Sequence, residues 1–178
     1  MRTRSVTSEV LYADEPVVRI RRDDLAPLIP AAAGNPPRRM RLCAHRSVSD
    51  ALHEMFIVLA KDAYIRPHKH LQKSESFHVV EGRAEIVLFE EDGSLRQVIA
   101  MGDYSSGLCF YYRLADPCYH GLVVRSDAFV FHETTGGPLD PAQTVFAPWA
   151  PPEDALPLRA AYMARLMEGV ETWNRENL

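Results

Sequence analysis

The 178-residue sequence has no apolar run approaching the roughly 20 residues that a membrane-spanning helix requires. Its start, MRTRSVTSEV, carries arginines with no apolar stretch behind them, so no secretory signal is expected. Positive charge is not in excess either, with a net charge of -4 and a pI near 6.0. The arginine clusters over Arg19–Arg22 and Arg38–Arg41 read as solvated charge, not as a nucleic-acid stripe. Cysteine is scarce: Cys43, Cys109 and Cys118 have no paired spacing, which fits reduced thiols better than a disulfide framework. Internal repeats and low-complexity segments are missing. These absences lead to the expectation of one cytoplasmic domain with neither a membrane nor a nucleic-acid partner.

What is there is the composition of a globular protein, 47% hydrophobic and 25% charged, which excludes disordered, collagen-like and coiled-coil chains. The 13 prolines cluster at both ends. Between Pro37 and Pro138 the chain is a series of short, β-rich runs: Met55–Ala60, Glu75–Val80, Ala84–Phe89, Gln97–Met101, Phe110–Leu114, Gly121–Arg125 and Ala128–Glu133. Glu91-Asp92-Gly93 reads as the turn of a hairpin. Short, evenly spaced strands point to an all-β sandwich or barrel. Leu158, Tyr162, Leu166 and Val170 recur near helical spacing and predict a helix at the end of the chain. A weaker helical pattern runs from Arg22 to Ile29, interrupted by proline.

The strongest chemical signal is Pro67-His68-Lys69-His70-Leu71-Gln72-Lys73-Ser74-Glu75. On a strand, residues two apart face the same way, so His68 and His70 aim both imidazoles at one point. A short loop lets Glu75 return a carboxylate to that point from the next strand. Gly82 then marks a tight turn. Two imidazoles and a carboxylate suit a divalent transition metal. A third imidazole is expected from His120, which follows the turn signal Asp116-Pro117-Cys118-Tyr119 and leads into an apolar strand. His78 is out of register with Glu75. His45 and His53 precede the expected barrel and read as polar or hydrogen-bonded side chains, and His132 stays unassigned. Tyr64 and Arg66 share parity with the histidines and are the candidates to line the same cavity and act on an anionic substrate. Arg66 reads equally well as a cap on the barrel mouth. Glu133 reads as a charged strand end facing water, with a supporting role at the site as the alternative. Trp149, flanked by prolines, reads as a packing anchor.

These residues resemble a known family. His68, His70, Glu75 and Gly82 look like the first cupin motif, and Pro117 to His120 like the second. Tyr64-Ile65-Arg66-Pro67-His68-Lys69-His70 is similar to the Y-[IV]-R-P-H-x-H run of the WbuC family of cupin-fold metalloproteins. Phe146-Ala147-Pro148-Trp149-Ala150-Pro151 is similar to that family's F-A-P-W-A-P tail. Asp62, Pro117 and Leu139 depart from the pattern without removing a ligand. The resemblance implies a cupin double-stranded β-helix, or jelly-roll barrel, over residues 38–153. An N-terminal arm over 1–37 precedes it and a C-terminal helix over 154–178 follows. It implies a mononuclear divalent metal (iron, manganese, nickel, cobalt or zinc) held by His68, His70, Glu75 and His120. It also implies a small-molecule ligand such as a sugar derivative, a link to surface-polysaccharide biosynthesis and, by fold analogy, a homodimer. It specifies no reaction. A metal-dependent oxygenase or isomerase and a metal-anchored sensor without turnover both stand. A metal-free epimerase relying on a His/Tyr pair fits the residues less well.

Overall fold

The computed structural model describes residues 1–177. The chain forms β1 (Thr3–Ser5), β2 (Val10–Ala13), α1 (Arg22–Leu25), α2 (Leu28–Gly34), β3 (Arg39–Cys43) and β4 (Leu52–Ala60). It continues through β5 (His68–His70), β6 (Glu75–Glu81), β7 (Arg83–Phe89), β8 (Leu95–Gly102), β9 (Tyr111–Leu114) and β10 (Tyr119–Val124). It ends with β11 (Ala128–Gly136), β12 (Thr144–Phe146) and α3 (Leu156–Asn177). One sheet runs β1-β2-β3-β4-β11-β6-β9 and the other β12-β5-β10-β7-β8. The eight strands β4 to β11 divide as β4-β11-β6-β9 against β5-β10-β7-β8. That strand order is the double-stranded β-helix of a jelly roll, the cupin fold expected from the sequence.

Alternation explains which face each strand buries. Along β6, Glu75, Phe77 and Val79 point inward and are buried, while Val80 is exposed. In β10 and β7 the alternation disappears because both faces are covered. Leu122, Val124, Ile86 and Leu88 enter the barrel core with Phe129 and Phe131. Val123, Val87 and Phe89 face outward, beneath Ala147, Ala150 and the α3 side chains Leu166 and Val170. The seven-stranded sheet is covered in the same way: Val58 and Val130 pack under Leu25, Leu28 and Ala32 of α1 and α2.

The helices differ in detail from the sequence pattern. The expected Arg22–Ile29 helix is two helices, with Pro27 capping the second. In α3, Leu166 and Val170 are buried but Leu158 is 63% exposed. Steps of four overshoot the helical repeat by about 40° each, so Leu158 has rotated off the face that Val170 buries. Farther along, Asn174 Nδ2 donates to Glu85 Oε1 at 2.7 Å and pins α3 to β7. The β7–β8 turn closes at Gly93, in the left-handed region at φ +91°. Residues 1–37 include two strands, β1 and β2, and β2 joins β3 in parallel. No described helix is long and apolar enough to cross a membrane.

Candidate metal centre

The short strand β5 is held on both sides. His68 pairs with His120 of β10, while Thr144 and Phe146 of β12 pair with His70 and His68. Ala147 N–H donates to Pro67 O at 2.8 Å, so the F-A-P-W-A-P segment secures the residue before the histidines. One ligand atom from each of His68, His70 and His120 lies within 4.8 Å of the other two. Glu75 arrives from the opposite sheet: its Oε1 is 2.9 Å from His120 Nε2 and its Oε2 is 3.3 Å from His70 Nε2.

The outer nitrogens are tied outward. His68 Nδ1 meets Arg66 O at 2.9 Å, and His120 Nδ1 meets Cys118 O at 3.0 Å. A carbonyl only accepts, so both Nδ1 atoms carry the proton and both Nε2 lone pairs face the cluster. His70 Nδ1 is 3.1 Å from Thr144 Oγ1. Inside, Glu75 Oε1 and His120 Nε2 are buried and, facing each other at 2.9 Å, have no other partner. Unsatisfied buried polar atoms of this kind are costly unless something else is bound. Three imidazole nitrogens and a carboxylate converging there fit a divalent transition ion.

Burial and charge set the protonation states. Burial pushes His68 down to about 4. At His120 burial pulls the same way, but the Glu75 carboxylate outweighs it and raises the ring above its usual value. Burial would raise Glu75, yet His120 and His70 hold it well below the usual carboxylate range.

The cluster lines a cavity of about 510 Å³. Arg66 lines it, but Tyr64 does not. The Tyr64 hydroxyl donates to Pro151 O at 2.8 Å and its ring meets Tyr162 edge-on. No strand spans Tyr64 to Pro67, so shared parity does not carry over to the histidines. Burial lifts the Tyr64 phenol to about 12. His78 and His132 are paired across the outer face of the sheet, away from the cavity, as parity requires.

Other residues reach the cavity unexpectedly. His53 lies within β4, not before the barrel, and stacks on His45 with ring centroids 4.2 Å apart. Both are buried in the cavity wall. Extending the inward parity of Ile57 and Met55 back two residues would have located His53. Glu133, expected to face water, shares inward parity with Phe129 and Phe131 and lines the cavity. Burial, reinforced by the nearby Glu75 charge, raises its carboxyl to about 7, with Arg41 and Lys73 pulling the other way. At the mouth, Arg39 is not free charge: it meets Glu9 at 2.6 Å and Glu153 at 3.0 Å. Trp149 packs against Phe89, and its Nε1 donates to Glu91 O at 3.2 Å, which makes it an anchor on the outer sheet face.

A family model described as a domain of unknown function (DUF6016) matches residues 20–101. No curated protein sequence matches the chain. Among solved structures, a structural-genomics protein from Shewanella oneidensis is similar at 15% identity and a TM-score of 0.48, over 60% of this chain and 72% of that one. A transcriptional regulator of the HTH_3 family from Vibrio cholerae is similar at 16% identity and 0.43, over 57% of this chain and 52% of its own. A mutant of Bacillus subtilis oxalate decarboxylase is similar at 16% identity and 0.44, over 56% of this chain. The present chain thus spans about half the length of the regulator and 25% of the decarboxylase.

Proposed function

We propose that this protein is a cupin-fold metalloprotein in which His68, His70, Glu75 and His120 hold one divalent transition metal. Its ligand is a small polar or anionic molecule such as a sugar derivative. The observation that carries the reading is the inward-facing pair Glu75 Oε1 and His120 Nε2, both buried, 2.9 Å apart and with no partner besides each other. Groups so placed cost stability unless a bound ion satisfies them. When bound, a metal with four protein donors keeps about two coordination positions open and supplies Lewis-acid or oxygen-binding chemistry. The chain's own contribution is orientation. The carbonyls of Arg66 and Cys118 fix two rings, and Arg66 presents its guanidinium to an anion in the cavity.

Metal analysis of the purified protein beside His68→Ala and His120→Ala tests the centre. Loss of bound metal in both variants is expected, and unchanged metal content refutes the reading. A second reading, a metal-anchored binding protein or sensor without turnover, is favoured by the Tyr64 hydroxyl turning toward Pro151 and away from the cavity. A ligand that binds tightly and is recovered unchanged would decide for it. The similarity of the Tyr64–His70 and Phe146–Pro151 runs to the WbuC family supports a role beside surface-polysaccharide synthesis. The cysteines without paired spacing support a cytoplasmic location, fold analogy supports a homodimer, and the extent of the resemblance supports the division into arm, barrel and tail helix. Light scattering tests the dimer.

A further inference from the structure

Two cations, Arg66 and Lys73, line the cavity that holds the histidine cluster. Arg66 is fixed by Nη2 donating to Ala147 O at 3.0 Å and by lying over the Phe146 ring, 5.2 Å from its centroid. Its Nε is buried and has no hydrogen-bond partner. Lys73 enters the same cavity from the loop between β5 and β6. Among the described residues no carboxylate forms an ion pair with either of them. Arg39, at the mouth, shows the contrast, since Glu9 and Glu153 neutralise it. A buried guanidinium N–H without an acceptor is costly, and an anion supplied by a ligand relieves it.

Glu133 lines the same cavity, where the Lys73 charge reaches its carboxyl. Glu133 stands in one cross-strand row with Cys43, Met55, Phe77 and Tyr112. Among the described residues no donor meets its carboxyl in a hydrogen bond or an ion pair. It lies diagonal to Glu75, about 7–8 Å away along the backbone lattice. Glu133 shares with Arg66 and Lys73 a cavity whose volume of about 510 Å³ suits a small molecule.

We propose that the cavity is a receptor for a small hydroxylated carboxylate of the sugar-acid type. Its carboxylate sits on Arg66 and Lys73 beside the histidine cluster, and a hydroxyl sits on Glu133. Arg66 gives one of its five N–H groups to Ala147 O and keeps its buried Nε–H without a partner, and that N–H together with the Lys73 ammonium suits the two oxygens of a carboxylate. The inference rests on the metal-centre reading for the ion beside the carboxylate, but its selectivity resides in Arg66, Lys73 and Glu133.

Titration calorimetry on the full-length protein loaded with Ni(II) tests it, with D-gluconate, its neutral counterpart sorbitol, sorbitol 6-phosphate and acetate as probes. Gluconate is expected to bind at least about tenfold tighter than the other three. Arg66→Gln and Lys73→Gln are each expected to weaken gluconate at least about fivefold at unchanged metal content. Glu133→Leu is expected to weaken gluconate while leaving acetate unchanged. Lys73 is only half-buried, so Lys73→Gln decides if Arg66→Gln fails to fold. Equal binding of gluconate and sorbitol, preference for the phosphate, or wild-type affinity in Lys73→Gln overturns the proposal. Metal content separates the two readings. Lost anion preference in fully loaded protein sinks the receptor and spares the metal centre. Failure of the wild type to take up Ni(II) sinks the metal centre, and the same four probes on metal-free protein then decide the receptor.

Discussion

Replacing Glu133 by Gln should stabilise the metal-free protein at high pH and leave it nearly unchanged at low pH. Glu133 is half-buried in the cavity wall near Glu75, and desolvation of its carboxyl together with the Glu75 charge raises its pKa from 4.5 to about 7. An acid whose native pKa is raised holds its proton more tightly folded than unfolded. Its contribution is complete below pH 4.5 and is lost as pH rises through about 7. That interval, at about 1.4 kcal/mol per pH unit, bounds the effect at about 3 kcal/mol. Solvent reaching this half-buried side chain screens part of it, and at pH about 5 some of the loss has already occurred. The expected gain of Glu133→Gln over wild type between pH about 5 and about 8 is therefore about 1–2 kcal/mol. For a chain of this size that is roughly 2–8 °C in Tm. Urea denaturation of both proteins at the two pH values measures it. A variant no more stable than wild type at pH about 8 would show that Glu133 is adequately solvated or paired, and would refute the argument.

Metal retention should fall as pH drops. Burial keeps His68 neutral down to about 4, whereas at His120 the Glu75 carboxylate overcomes burial and raises the ring. Protonation of His120 then competes with the ion first, so metal should leave during dialysis at mildly acidic pH. Release confined to pH below about 4 would contradict this. Phe129→Ala empties a fully buried core position and should cost about 3–5 kcal/mol in chemical denaturation. Gly82→Ala forces a side chain into φ +89° and against the carbonyl of Ala128. A loss of at least about 1–2 kcal/mol is expected, read as a lowered Tm.

The barrel strands were legible where their chemistry obeyed the usual partition. The runs from Met55 to Glu133 are β-rich, and Gly82 and Gly93 mark turns that occur where expected. The strands outside those runs hid for physical reasons. β1 is three exposed residues with no apolar face. β3 alternates in reverse, with Met40 and Leu42 packed beneath α2 while Arg39 and Arg41 line the cavity, so its charge read as solvated. The same reversal concealed His53 and Glu133, polar residues on the inward face of strands. At the site, i and i+2 spacing brought His68 and His70 together because β5 is a true strand. Tyr64 failed the same rule because the chain between it and Pro67 is not.

The donors are shared unequally between the two halves of the sandwich. His68, His70 and His120 belong to the five-stranded sheet, and Glu75 alone comes from the seven-stranded one. An ion bound by all four would act as a rivet through both leaves, so that prising them apart means breaking a coordination bond. Loading should therefore slow amide exchange on β6 as well as on β5 and β10, and would link the breathing of the barrel to the supply of metal.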